Sequence, residues 1–537
     1  MKKIVHNGKI YTMDQEKPIA EAVAIVNNKF AAVGTDAEIL AMKSKETEII
    51  DLAGKTVIPG FNDSHMHLLG FALQLGKVDL GGARSIEDVV TSFNTFINDN
   101  SIPPGTVVLG RGWNEIFFDE KRTLTKYDLD KLAHPVYAVR ACGHVGAANN
   151  AMLKLYKINK NTPDIPGGEI VKDENGEPTG LFLENAMQIF ASSQELNTIA
   201  VKELILKALP YLAKYGITSI QSDDFLFGAS NETVCEAYTD LADARKLTAR
   251  VNQKCRALSY DAYKTMLELP QVCEKISSYY KLGPVKIMSD GSLGGSTAFL
   301  KEDYLNEPGN RGIPIFSQNE FEAIVDLVHV NNRCAAIHAI GDGAIQWCLD
   351  AIKKAQDKNP KPHLRHGIVH AQITDKELLK GFKQNNVIAY IQPIFIHADW
   401  QIVEKKVGKA KAATSYAFKT LMDMGVHIPL GTDCPVEPLN PFENIYCAVT
   451  RKDLHGRPEG GFNPNEALNV HQAVYAYTAD GAYTSGEENL KGMIKIGMFA
   501  DMAVLSQDIF NIPHEEILRT KVEMTFFDGK IIFKTSF

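Results

Sequence analysis

The sequence predicts an α/β protein: a (β/α)8 TIM barrel with a small β-sandwich formed from both chain termini. Three observations predict it. Short apolar runs ending in polar or glycine-rich turns alternate with helical stretches through the middle of the chain; eight such runs can be counted; and each end reads as β structure too small to bury a sheet face alone.

The elements follow in order. Glu21 to Gly34 is two apolar runs around Asn27-Asn28, a hairpin signal, and Glu48 to Val57 is another short pair around Gly54. Met502 to Leu505 and Met524 to Phe533 are strand-like, the latter broken by the turn pair Asp528-Gly529. Residues 1–57 and 486–537 are therefore expected to pair into one composite sandwich. The barrel is expected over 58–485. Its strands are read as Thr56–Ile58, Val136–Ala141, Ile217–Gln221, Val285–Met288, Cys334–Ile337, Gly367–Val369, Val387–Ile391 and Ile428–Gly431. Helical patterns at Val201–Tyr215, Glu320–Asn331 and Ala344–Gln356 lie between several of them. The stretch 68–134 is too long for one βα unit and is expected to be an insertion over the barrel mouth.

Composition narrows the class. A chain of 537 residues with 45% hydrophobic and 23% charged residues has an ordinary globular balance. The net charge of −8, without a lysine or arginine block, argues against nucleic acid or an anionic membrane as partner. No targeting segment is expected, because Met1-Lys2-Lys3-Ile4-Val5-His6-Asn7-Gly8 becomes polar too soon, and no stretch approaches about 18 uninterrupted apolar residues. The cysteines at 142, 235, 255, 273, 334, 348, 434 and 447 form no CxxC pair and read as reduced thiols of a cytoplasmic protein.

The sharpest local signal is Pro59-Gly60-Phe61-Asn62-Asp63-Ser64-His65-Met66-His67. In an extended chain residues i and i+2 share a face, so His65 and His67 can offer two imidazoles to one ion. An isolated HxH is more often a pair of surface histidines. Here, however, His338, His370 and Asp433 each directly follow an apolar run, where barrel enzymes place catalytic groups. Imidazole nitrogens and carboxylate oxygens suit zinc and related divalent ions.

This arrangement resembles the amidohydrolase superfamily and, more narrowly, amidohydrolase family 3, the YtcJ-like metal-dependent hydrolases. The matching strings are PGFNDSHMH (59–67), GWNE (112–115), GHVGAANNAML (143–153), PTGLFLENA (178–186), GITSIQSDD (216–224) and VKIMSDGSLGGSTA (285–298), then PGNRG (308–312), IHAIGDGAI (337–345), VHAQ (369–372), GTDCPVEPLNP (431–441) and AVTRK (448–452). The chain departs from the family pattern at Val369, Gly343 and Cys142, where glutamate, arginine and an acidic residue are usual.

The resemblance implies a set of roles. Lys286 matches the strand-four lysine that CO2 can carboxylate into a bridging metal ligand; as a bare ammonium it could not ligate, and Asp290 would then be the fallback acid. The implied metal set is His65, His67, Lys286, His338, His370 and Asp433, holding one or two Zn2+, with Mn2+, Fe2+ or Ni2+ as alternatives. Asp433 is expected to shuttle the proton of the attacking water, and His144 to hydrogen-bond the substrate carbonyl. Trp113 and Arg311 are the candidate substrate contacts, against the plainer readings of a core aromatic and a loop brace. The implied activity is hydrolysis of a carbon–nitrogen bond, other than a peptide bond, in an amide or N-acyl/formamide-like small molecule. A deaminase or isomerase on the same metal site, and an inactive regulatory or binding protein, are the competing readings. A homodimer is compatible with the sequence.

Overall fold

The computed structural model describes residues 2–140, 145–165, 167–190, 196–225, 227–268 and 277–535. The chain divides into two units, Met1–Phe71 with Leu196–Phe537, and Ala72–Glu195.

In the first unit a parallel sheet of seven strands forms the barrel wall. In spatial order its strands are Phe61–Met66, Ile217–Ser222, Arg250–Arg256, Tyr280–Met288, Ala335–Ala339, Gly367–His370 and Ile388–Tyr390. An eighth extended segment completes the ring. Ile391 bridges Leu430 in parallel, and Ser64 N donates to Leu430 O at 2.9 Å, so residues 428–431 lie between the seventh strand and the first. Helices Thr198–Lys214, Gln318–Val330 and Asp342–Lys358 connect strands as the 3.6-residue apolar period predicts.

Two of the expected barrel strands belong elsewhere. Thr56–Pro59 pairs antiparallel with Met502–Leu505 and parallel with Lys9–Tyr11, so it is a sandwich strand, and the first barrel strand is Phe61–Met66, which contains His65. Val136–Arg140 pairs with Val108–Trp113 and Val145–Ala148 in the sheet of the second unit. Ala141, the last residue of that expected run, lies outside the described residues. The expected set also lacks Arg250–Arg256, whose sequence RVNQKCR carries no apolar run.

The sandwich is made from both ends of the chain. One sheet runs Lys29–Gly34, Ala22–Val26, Lys2–His6, Glu48–Asp51; the other runs Lys530–Lys534, Val522–Phe527, Met502–Leu505, Thr56–Pro59, Lys9–Tyr11, Ile19–Ala20. Val5, Ile25, Phe30 and Val57 from the front of the chain share one buried core with Met502, Val504 and Phe526 from the back. Seven of these ten strands come from the front of the chain and three from the back, and the back strands bury their apolar face against the front ones.

The second unit is built on a sheet ordered Gly168–Lys172, Pro178–Glu184, Val145–Ala148, Val136–Arg140, Val108–Trp113, Lys77–Asp79. Helix Ile86–Asp99 starts at a Ser85–Asp88 capping box and packs Val89, Val90 and Phe93 into a core with Trp113, Phe118 and Val136. No helix among the described residues is long and apolar enough to cross a membrane.

Candidate metal centre

The C-terminal ends of the barrel strands bring six expected ligands together. His65 ends up in the barrel through a register shift between Asp63 and Met66 on the first strand, an irregularity of the kind that re-aims side chains. The His65 and His67 rings lie 5.2 Å apart, His65 and His370 5.8 Å, and His338 and His370 4.6 Å. One ligand atom each from His65, His370 and Asp433 falls within 4.8 Å of the other two. Asp433 Oδ1 lies 3.1 Å from His67 Nε2 and 3.4 Å from His65 Nε2, and Lys286 Nζ lies 3.0 Å from His65 Nε2.

His370 and Asp433 adopt φ of 79° and 58°, the left-handed region that non-glycine residues enter at a cost and that clusters at functional sites. Asp63 braces the joint beneath them. Its carboxylate accepts from Thr432 Oγ1 at 2.6 Å, from Thr432 N at 3.1 Å and from His65 N at 3.2 Å, tying the first strand to the segment that carries Asp433. Gly431 is required at that joint, because a Cβ there would stand 2.5 Å from His65 N.

A second set of groups orients the imidazoles. His370 Nδ1 donates to Gln392 Oε1 at 2.8 Å, which leaves its Nε2 with a lone pair for a cation, while His67 Nδ1 donates to Asp223 O at 2.6 Å and its Nε2 faces Asp433 Oδ1 at 3.1 Å. His338 Nε2 donates to Gly291 O at 3.0 Å, which leaves Nδ1. Lys254 Nζ, fully buried on the third strand, donates to Ser64 O at 2.7 Å and lies 3.1 Å from His65 Nδ1. Phe227 and Phe395 stand beside the rings of His67 and His370 at 5.3 and 5.6 Å.

Charge follows from burial. Burial lowers the pKa of His65 and His338 well below the ordinary value, and that of His370 to about 4, so these imidazoles are neutral at pH 7. Burial alone would raise the Asp433 carboxyl, but the hydrogen bond from His67 and nearby positive charge outweigh it and hold Asp433 down at about 2. The neutral nitrogens of His65, His338 and His370 beside an ionised carboxylate are donors that suit a divalent cation, and His67, whose pKa burial lowers but the bond to Asp433 lifts above the ordinary value, would give up its proton to join them, so the residues present fit a metal.

The remaining expected residues lie elsewhere. His144 falls outside the described residues. Trp113 is a core residue of the second unit, fully buried, with Nε1 donating to Ala138 O at 3.0 Å. Arg311 is 55% exposed, with its closest acid, Asp303, 3.9 Å away, which is the loop-brace reading. Asp290 is occupied as well: its carboxylate accepts from the backbone N–H groups of Phe299, Ile340 and Gly341, joining the loops after the fourth and fifth strands. Lys254, Asp223, Arg256 and Gln392 were missed. The first and third sit on the strand that has no apolar run; Gln392 directly follows an expected strand and Asp223 lies two residues beyond one, and that position was the available signal.

Comparison with known proteins agrees with this geometry. The model of the amidohydrolase family matches residues 48–533. The putative amidohydrolase YtcJ of Bacillus subtilis is 33% identical over 542 residues, covering 100% of both chains. The N-substituted formamide deformylase of Arthrobacter pascens is 27% identical, covering 99% of this chain and 98% of its own. An uncharacterized metal-dependent hydrolase from Pyrococcus horikoshii superposes with a TM-score of 0.77 at 26% identity, covering 96% of this chain and 99% of the other. With a family model spanning nearly the whole chain and a full-length relative of this similarity, the chain belongs to the amidohydrolase family, as a metal-dependent hydrolase.

Proposed function

We propose that the protein hydrolyses the carbon–nitrogen bond of a small amide, in the N-acyl or formamide class, at a divalent metal site formed by His65, His67, His338, His370, Asp433 and a carboxylated Lys286. The carrying observation is the convergence of buried His65, His370 and Asp433 donor atoms within 4.8 Å at the strand ends. The similarity to an N-substituted formamide deformylase supports the substrate class. Nitrogen and carboxylate donors favour zinc, as one ion or two.

A bound ion would supply Lewis-acid polarisation of the substrate carbonyl and a more acidic water. The chain's own groups do the rest. Asp433, held ionised, accepts a proton from water and passes it to the leaving nitrogen. Burial, opposed by the charges of Asp223 and Asp433, pulls the Lys286 ammonium down to about 8, so part of the population carries the neutral amine that adds CO2.

The test is purified protein with measured metal content, screened against N-acyl amino acids, formamides and cyclic amides, with ¹³C-bicarbonate labelling to detect a lysine carbamate by NMR. Turnover of an amide by metal-loaded protein is expected, and it should disappear on chelation. Metal-loaded protein that cleaves no member of the panel would refute the reading.

A further inference from the structure

Arg256 closes the third barrel strand, and its Cα pairs in register with that of Lys286 on the fourth. Partners across a ladder project their side chains to the same face. Lys286 points at His65, so Arg256 also faces the barrel mouth. Its side chain is 20% exposed, and Nη1 lies 3.6 Å from Asp223 Oδ2, beyond hydrogen-bond reach. The same Asp223 oxygen is 3.9 Å from His67 Nδ1, which places the guanidinium beside the metal ligands.

This arginine has bonding capacity to spare. Its buried Nε has no hydrogen-bond partner, and neither carboxylate oxygen of the fully buried Asp223 has one. Arg250, at the other end of the same strand, donates four hydrogen bonds. Buried polar groups are ordinarily satisfied, and a planar fork of five N–H donors is shaped for a planar oxyanion. The adjacent Asp223 charge disfavours a dianion such as phosphate and admits a monoanion.

We propose that Arg256 binds the free carboxylate of the substrate, so that the preferred substrates are N-acyl amino acids rather than neutral amides. The inference rests on the C–N hydrolase reading above. In an N-acyl amino acid the scissile carbonyl carbon and the carboxylate carbon are three bonds apart, about 3–4 Å, so a group that holds the carboxylate must lie close to the reacting centre. One N-acyl amino acid and one water give one carboxylate, from the acyl group, and one free amino acid as its zwitterion. The C–N bond breaks and a C–O bond forms between the acyl carbon and the water oxygen. Both protons of the water end on the leaving nitrogen, which departs as an ammonium group.

The test uses metal-loaded wild type, Arg256→Met and Arg256→Lys with matched ligands. N-acetyl-leucine and its carboxamide report kcat and KM; N-methanesulfonyl-leucine and its carboxamide, which are not hydrolysed, report binding by calorimetry. Wild type is expected to bind the acid about 30–100-fold more tightly than the carboxamide, the size of a charge-assisted pair. Arg256→Met should reduce that preference to within about 3-fold and Arg256→Lys should retain part of it. KM for the acid should rise much more than kcat falls, with metal content unchanged.

Equal binding of acid and carboxamide by wild type, or an equal loss for both in the variants, would overturn the assignment and leave Arg256 a structural residue. If Arg256→Met does not fold, Arg256→Lys decides the comparison. Failure of the hydrolase reading looks different: no amide is turned over by loaded wild type, while the calorimetric pair still decides whether Arg256 holds a carboxylate.

Discussion

Arg250→Met should loosen the composite sandwich from the barrel. Arg250 opens the third barrel strand, is 2% exposed, and donates from Nε and Nη2 to Asp501 at 2.8 and 3.2 Å, from Nη2 to Asp528 at 3.0 Å, and from Nη1 to Ser278 O at 2.8 Å. Its guanidinium lies 3.7 Å from the Phe499 ring centroid. Asp501 and Asp528 flank the sandwich strands Met502–Leu505 and Val522–Phe527. Removing one partner of a buried ion pair costs about 3–5 kcal/mol. The lower end applies here, because Asp501 keeps the Asp528 N–H at 2.7 Å and Asp528 keeps the Tyr279 hydroxyl at 2.7 Å. A loss of ~3 kcal/mol corresponds to about a 150-fold rise in local opening. Hydrogen exchange at the amides of both sandwich strands reads this directly. Protection factors within about 5-fold of wild type would show that the sandwich is held by its apolar core alone, and the reasoning would fail.

Other consequences follow from the centre and its surroundings. His65→Ala and His67→Ala should each lower bound metal, measured by atomic emission, while circular dichroism stays that of a folded barrel; full stoichiometry in both would remove the metal assignment. Asp433→Asn keeps shape and an oxygen donor, so metal-loaded variant should lose about 10²–10⁴-fold in kcat; near wild-type turnover would exclude it as the shuttle. Acid should destabilise the fold through His366. Its Nδ1 accepts from Ala335 N at 3.0 Å, so its Nε2 donates to His329 Nδ1 at 3.0 Å, and His329 Nε2 donates to Asn359 O at 2.7 Å. Burial, then the neighbouring His329, hold His366 down to about 3 from an ordinary 6.5. The unfolded chain therefore binds a proton that the folded chain refuses, and stability falls as pH drops through the window between these values. His366→Gln should flatten the urea-midpoint profile between pH 6 and 4 by up to one proton's worth, about 1.4 kcal/mol per pH unit; superimposable profiles would contradict the assignment.

Local sequence determined much of the centre. His338 and His370 each cap an apolar run, and Asp433 follows one closely, so the pattern that makes a buried strand also marks its polar end. The terminal hairpins were legible from Asn27-Asn28 and Asp528-Gly529, where Asn27, Asp528 and Gly529 adopt the positive φ such turns demand. Which sheet a strand joins was not legible. Val136–Arg140 and Thr56–Pro59 look like barrel strands because an apolar run records only that a segment is buried, while its partners are chosen by pairing with distant chain. Arg250–Arg256 failed the opposite way. Its polar side chains are satisfied or positioned by residues far away in sequence: Arg250 by Asp501, Lys254 by Ser64, Arg256 by its register with Lys286. Without those partners a segment reading RVNQKCR carries no strand signal, since burying a charge is tolerable only where tertiary structure supplies its counterpart. The expected ligand positions other than Lys286 were thus written into local pattern, and Lys254 and Arg256, the basic side chains beside them, became visible only once the barrel had closed.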